Sequence, residues 1–138
     1  MTIIRAKSSA VVAPKSEAEA FFADNPHIDS VEMIYTDFGG VPRGKRLRQH
    51  EVIAVYETGR MFPGSITVVD ITGQDTVETG LVWEDGDADR SMKPVPGTLV
   101  KTPWAGENAA QFLVDFYELD GTPHDLDPRH VLGRVVDR

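Results

Sequence analysis

Residues whose types could do chemistry fall in four places along this chain, and their spacing limits what that chemistry could be. Gly39-Gly40-Val41-Pro42-Arg43-Gly44-Lys45 has the spacing of a phosphate-binding loop, G-x-x-x-x-G-K. That loop needs a Ser or Thr hydroxyl next, to meet magnesium, and this chain has Arg46 there. Pro42 also lacks an N–H that a phosphate cradle would use. The stretch reads as a glycine-rich hairpin turn running into a basic strand. Asp85-Gly86-Asp87-Ala88-Asp89 opens like a calcium loop, but Arg90 stands where glycine is required and Pro96 where the closing glutamate belongs. It reads as a solvated acidic turn held by Arg90. His27, His50, His124 and His130 show no metal-ligand spacing, and a surface position is expected for His130. Gly64-Ser65 lacks the second glycine of a nucleophile elbow, because position 67 is Thr. No nucleophile, base and orienting group come together, so neither a catalytic residue nor a metal ligand is assigned within the chain.

Elements must position these residues, and composition bounds what the elements can be. The 138 residues suit one domain with a real core, and 41% of them are hydrophobic. Net charge is -8, with 22 acidic and 14 basic side chains, which argues against nucleic acid or an anionic membrane as partner. The absence of cysteine excludes disulfides, thiolate metal sites and cysteine nucleophiles. No apolar run is long enough for a signal segment or a membrane span, and a cytoplasmic protein is expected.

Residues 1–15 are small and polar and are expected to be a disordered tail. Ser16 reads as the N-cap of a short helix that ends near Asn25, ahead of Pro26. Val31–Thr36 is β-branched and aromatic and predicts a half-buried strand; Asp37–Gly40 turns the chain back through a basic strand, Arg43–Leu47. Val52, Ile53, Val55 and Tyr56 share one face of a helix over Gln49–Glu57, with Gly59 placed as its C-terminal cap. Met61–Gly80 reads as a long functional loop, and Leu81-Val82-Trp83 as a brief apolar run. Thr98–Thr102 and Gln111–Tyr117 read as the last two strands. Asp127 and Pro128 then open a helix whose stripe, Val131, Leu132, Val135 and Val136, has no evident partner. The order predicts an α+β fold of the β-grasp kind: a mixed four- to five-stranded sheet packed on one helix, with short flanking helices. The chain is expected to stop inside its last helix.

Several segments together resemble the glutamine synthetase family, in the branch that includes γ-glutamyl-polyamine synthetases. Val31–Asp37 with Gly40 looks like the family's "V-D-x-x-x-T-D-x-x-G" strand and turn, with Glu32 at the acidic position. Arg43–Leu47 resembles its "RGKRL" strand, Met61–Ser65 its "(M/L)-x-x-G-S" loop, and Asp127-Pro128-Arg129 the "DPR" that opens the catalytic domain's first helix. Asp70–Gly73, Trp83–Arg90 and Pro94–Leu99 follow in the family's order. The resemblance implies an N-terminal β-grasp domain over 16–122, then, at 123–138, the start of the first helix of a missing catalytic domain. It further implies an ATP-dependent ligase that activates glutamate as a γ-glutamyl phosphate for attack by an amine or ammonia. ATP and magnesium or manganese would belong to the catalytic domain, with no cofactor in this one. The implied partners are the C-terminal catalytic domains of its own and neighbouring subunits, in a homo-oligomeric ring.

Pro63, Gly64 and Ser65 would then form part of the amine-side wall of a neighbour's active site. Arg43, Lys45, Arg46, Asp85 and Asp87 are candidate interface residues. In ammonia-using members that loop reads "D-G-S-S", and its carboxylate binds ammonium and removes a proton. Here Pro63 takes that position and Ile66 that of the second serine, so no ammonium site is carried over. The isolated domain is expected to be inactive. The alternative is a free-standing ubiquitin-like interaction module that docks through Arg43–Arg48.

Overall fold

The computed structural model describes residues 11–138. Most of the expected tail (1–10) lies outside them, while Ala13 is buried and donates its N–H to the Pro94 carbonyl at 2.9 Å. Helix α1 spans Lys15–Asp24. It starts one residue ahead of Ser16, which therefore lies in the first turn and caps nothing; Pro14 precedes the helix without a side-chain cap. Asn25 ends α1 by donating from both its backbone N and its Nδ2 to the Phe21 carbonyl.

Strands β1 (Ser30–Thr36) and β2 (Pro42–Leu47) form an antiparallel hairpin. Alternation in β1 sends Val31, Met33 and Tyr35 inward, as a period of two requires. Helix α2 (Gln49–Thr58) opens with the Glu51 carboxylate accepting the Arg48 N–H at 2.8 Å. It buries Val52, Val55 and Tyr56 against the sheet, worth about 1.5–3 kcal/mol for a fully buried large apolar side chain. Gly59 closes α2 at φ 76, ψ -178, a conformation open essentially to glycine alone, and its N–H donates to Val55 O at 2.8 Å.

The sheet is mixed and curled, ordered β2-β1-β6-β4-β3, with the two-residue β5 (Val100–Lys101) also paired to β6. β6 (Ala109–Tyr117) lies parallel to β1, whereas β4 (Asp89–Pro94) runs antiparallel to β6 and to β3 (Arg60–Pro63). Six strands form where four or five were expected. The two extra ones are β3, in the stretch read as loop, and β4, which begins at the last residue of the acidic turn and continues through residues given no strand. Phe112, Val114 and Phe116 of β6 meet Met33, Met92, α2 and, through Phe22, α1 in one core.

Helix α3 (Pro128–Val136) follows a bridge between Tyr117 and Pro123. Leu132, Val135 and Val136 are exposed. His130 departs from its expected surface position: it is buried, donates from Nε2 to the Phe116 carbonyl at 3.0 Å, and meets the Tyr117 ring edge-on. The outer face of β6 is thus partly covered by its own following helix, which the apolar stripe alone did not indicate.

Candidate functional site

The Pro63–Ser65 segment turns where β3 ends. Pro63 pairs with Asp89, and Gly64–Val68 then forms a 3-10 turn. Backbone hydrogen bonds fix that turn to two neighbours. Gly64 N–H donates to the Ala88 carbonyl at 3.1 Å, and Phe38 N–H, at the tip of the β1–β2 hairpin, donates to Thr67 O at 2.8 Å. Thr67 is wholly buried and its hydroxyl donates to Gly64 O at 2.8 Å. Ser65 is buried too, so the exposed face of this segment belongs to Met61, with Phe62, Pro63 and Ile66 half-buried beside it.

Asp37 organises the hairpin tip. Its carboxylate is 1% exposed, accepts the Val41 N–H at 2.9 Å and pairs with Arg43 Nε. Burial pushes the Asp37 carboxyl up, yet the Arg43 and Val41 hydrogen bonds more than offset it and hold the group below its ordinary value of 3.8. An acid whose folded pKa is depressed contributes stability above its unfolded pKa and loses it as pH falls through the folded value. Asp37→Asn should therefore cost about 1–3 kcal/mol near pH 7, with the gap to the parent closing below about pH 4. Urea titrations at pH 7 and pH 3 check this; an equal gap at both would exclude the Asp37 charge as its cause.

The candidate interface residues do not form one cluster. Arg43 is committed inward, to Asp37 and, through Nη2, to the Asp70 carbonyl at 3.0 Å. Lys45 holds its ammonium 4.9 Å from the Phe62 ring centre, beside the Pro63 segment. Arg46 pairs separately with Glu32 at 3.1 Å. Asp85 is bound to Arg90 at 3.0 Å, in accord with the sequence reading of that turn, and Asp87 is exposed with φ 52.

Two cofactor readings can be tested on these residues. Gly44 lies within β2 paired to Ile34, and Lys45 lies against Phe62, so the G-x-x-x-x-G-K stretch makes no cradle for phosphate. Among the described residues, no group of three or more His, Asp or Glu side chains is placed to hold a metal ion.

Most of the chain, these elements included, is similar to known enzymes. The chain is 34% identical over 119 residues to the γ-glutamylputrescine synthetase PuuA of Escherichia coli, covering 86% of this chain and 25% of that protein. It is 32% identical over 108 residues to a glutamine synthetase of Pyrococcus abyssi, covering 78% and 21%. Its homologues are glutamine synthetase family members. A crystal structure described as a novel glutamine synthase homolog superposes with TM-score 0.66 at 21% identity over 80% of this chain and 26% of that one, a likeness of fold. No family model matches the chain. The chain spans about a quarter of the length of the glutamine synthetase relatives it matches.

Sequence reasoning passed over two carboxylates that hold the segments beside Pro63–Ser65 in place. Asp37 read only as turn chemistry, and its role became visible once Arg43 was seen to return beside it. Glu118 gave no signal, because its partners Arg90 and His124 lie on separate segments.

Proposed function

We propose that this chain is the N-terminal β-grasp domain of an ATP-dependent glutamate–amine ligase. In this reading it lends the Met61–Ile66 wall to the amine side of an active site in a neighbouring subunit. The observation that carries the reading is the match to γ-glutamylputrescine synthetase over 86% of the chain, including Pro63–Ser65. The sheet order, with first and last strands parallel at its centre, supports the β-grasp assignment.

The chemistry of the wall favours a larger amine over ammonia. Ammonium has no lone pair until a base removes a proton, and a carboxylate both attracts the cation and takes that proton. The turn Gly64–Val68 carries no acid, and Pro63 precedes it. Met61 instead offers exposed apolar surface to the methylene chain of an alkylamine, backed by the half-buried Phe62 and Ile66. ATP and magnesium or manganese would be held by the catalytic part of the ligase, and the protein would work in the cytoplasm as a homo-oligomeric ring. Among the described residues no helix is long and apolar enough to cross a membrane.

The test is an assay of the 138-residue chain, and of the ligase polypeptide carrying it, with ATP, magnesium, glutamate and either putrescine or ammonia. The chain alone should form no γ-glutamyl product; the ligase should prefer the diamine. Efficient glutamine synthesis from ammonia would overturn the acceptor assignment, and turnover by the short chain would overturn the domain assignment.

A further inference from the structure

Arg90 is the point at which three loops at one end of the fold meet. Its side chain is only 11% exposed. Nη1 donates to the Ala88 carbonyl at 2.7 Å, and Nη2 donates to Asp85 Oδ2 at 3.0 Å, closing the acidic turn. Nε lies 2.8 Å from Glu118 Oε2, off the axis of its N–H, as an ion pair. The other oxygen of Glu118 meets His124 Nδ1 at 2.6 Å, so the same carboxylate anchors the segment leading to α3.

The link to the wall is direct. The Ala88 carbonyl that accepts from Arg90 also accepts from Gly64 N–H. A Cβ placed on Gly64 would sit 3.4 Å from Arg90 Cγ, so the aliphatic stem of Arg90 runs beside Gly64 with room for no more than a methyl between them. β4 also meets the start of the turn through Asp89, which pairs with Pro63. A planar guanidinium suits the position because its fixed fork of donors can meet a carbonyl and two carboxylates at once, whereas a lysine ammonium is a single point of charge.

We propose that Arg90 is the positioning residue of the acceptor wall: it fixes Ala88, Ala88 fixes Gly64, and the place of Gly64 sets how tightly the acceptor amine binds. The last step rests on the acceptor-side reading of Pro63–Ser65 given above. Arg90 itself does not touch the amine, and its effect is confined to the affinity for that substrate.

Arg90→Lys separates the two steps when it is read in two ways. Amide hydrogen exchange on the 138-residue chain should show Gly64 exchanging about tenfold faster, with Met33 and Phe112 in the core unchanged. In the ligase polypeptide carrying the domain, KM for putrescine should rise about tenfold while kcat and KM for glutamate hold. Unchanged exchange at Gly64, or faster exchange throughout the core, would overturn the positioning step itself. Faster exchange at Gly64 with an unchanged putrescine KM would overturn the acceptor-side link instead. A parallel fall in kcat for every substrate would mark Arg90 as merely structural and overturn the proposal.

Discussion

Gly44→Ala is expected to release β2 from the sheet and to lower stability by about 3 kcal/mol or more, which is roughly 10 °C in Tm for a domain of this size. A Cβ at this position would lie 1.8 Å from the Met33 carbonyl oxygen and 2.9 Å from its carbon. Both atoms are backbone in the neighbouring strand, so no rotamer change relieves the contact; the strands must separate or slip. Slipping by one residue would turn Leu47, now buried, toward solvent and bring a charged neighbour inward. Separation would also draw Arg43 away from Asp37. Thermal unfolding followed by circular dichroism gives the size of the loss, and amide exchange gives its place. Protection should fall along β1 and β2 well before it falls at β4. A Gly44→Ala variant as stable as the parent would show that β2 does not approach β1 as described.

The second large effect is expected at Asp127. Its Oδ1 caps α3, accepting the N–H of Arg129 at 2.8 Å and of His130 at 3.2 Å, while its Oδ2 accepts the Phe116 N–H of β6 at 2.7 Å. One carboxylate therefore satisfies three backbone donors on two elements. Asp127→Ala should cost about 2–4 kcal/mol, the sum of a lost cap and a buried N–H left without an acceptor. A smaller opposing effect is built in. Burial first, and the Asp127 charge second, hold the Asp115 carboxyl above its ordinary value, with Arg129 opposing; removing Asp127 relieves part of that strain. Asp127→Asn should fall between parent and alanine variant, since one oxygen can cap α3 but an amide nitrogen cannot accept from Phe116. Urea unfolding of all three proteins tests this ordering. An asparagine variant no better than alanine would remove α3 capping from the account.

These two residues show what could be read from the sequence and what could not. Asp127 followed by Pro128 announced a helix start from residue type alone, and α3 begins there. Its bond to Phe116 joins residues eleven apart across a turn, a contact no local pattern encodes. Gly44 attracted notice for its spacing to Lys45, while its actual constraint is the nearness of another strand. The alternating and helical patterns of 31–36 and 49–57 were legible because each buries one face. β4 was not: Asp89-Arg90-Ser91-Met92-Lys93-Pro94 has one large apolar residue and ends in proline. It is a strand because β6 and β3 offer it partners on both sides, a tertiary cause that outweighs its weak β propensity. The Pro63–Ser65 segment was singled out by resemblance, whereas its neighbours Ala88, Arg90 and Glu118 emerge only in three dimensions.

The parallel pairing of β1 with β6 has a consequence for how the protein is made. Ser30 and Val31 lie beside Ala109 and Ala110, so β1 meets β6, the middle strand of the sheet, only after about eighty more residues have left the ribosome. Until then the hairpin of β1 and β2 has one open side, and the apolar faces of Val31 and Met33 wait on a strand not yet synthesised. Closing so long a loop must precede any reward from the contacts it brings, which makes folding late and cooperative. A nascent chain halted before Ala109 should therefore be a client for chaperones, and one released with β6 and α3 complete should not.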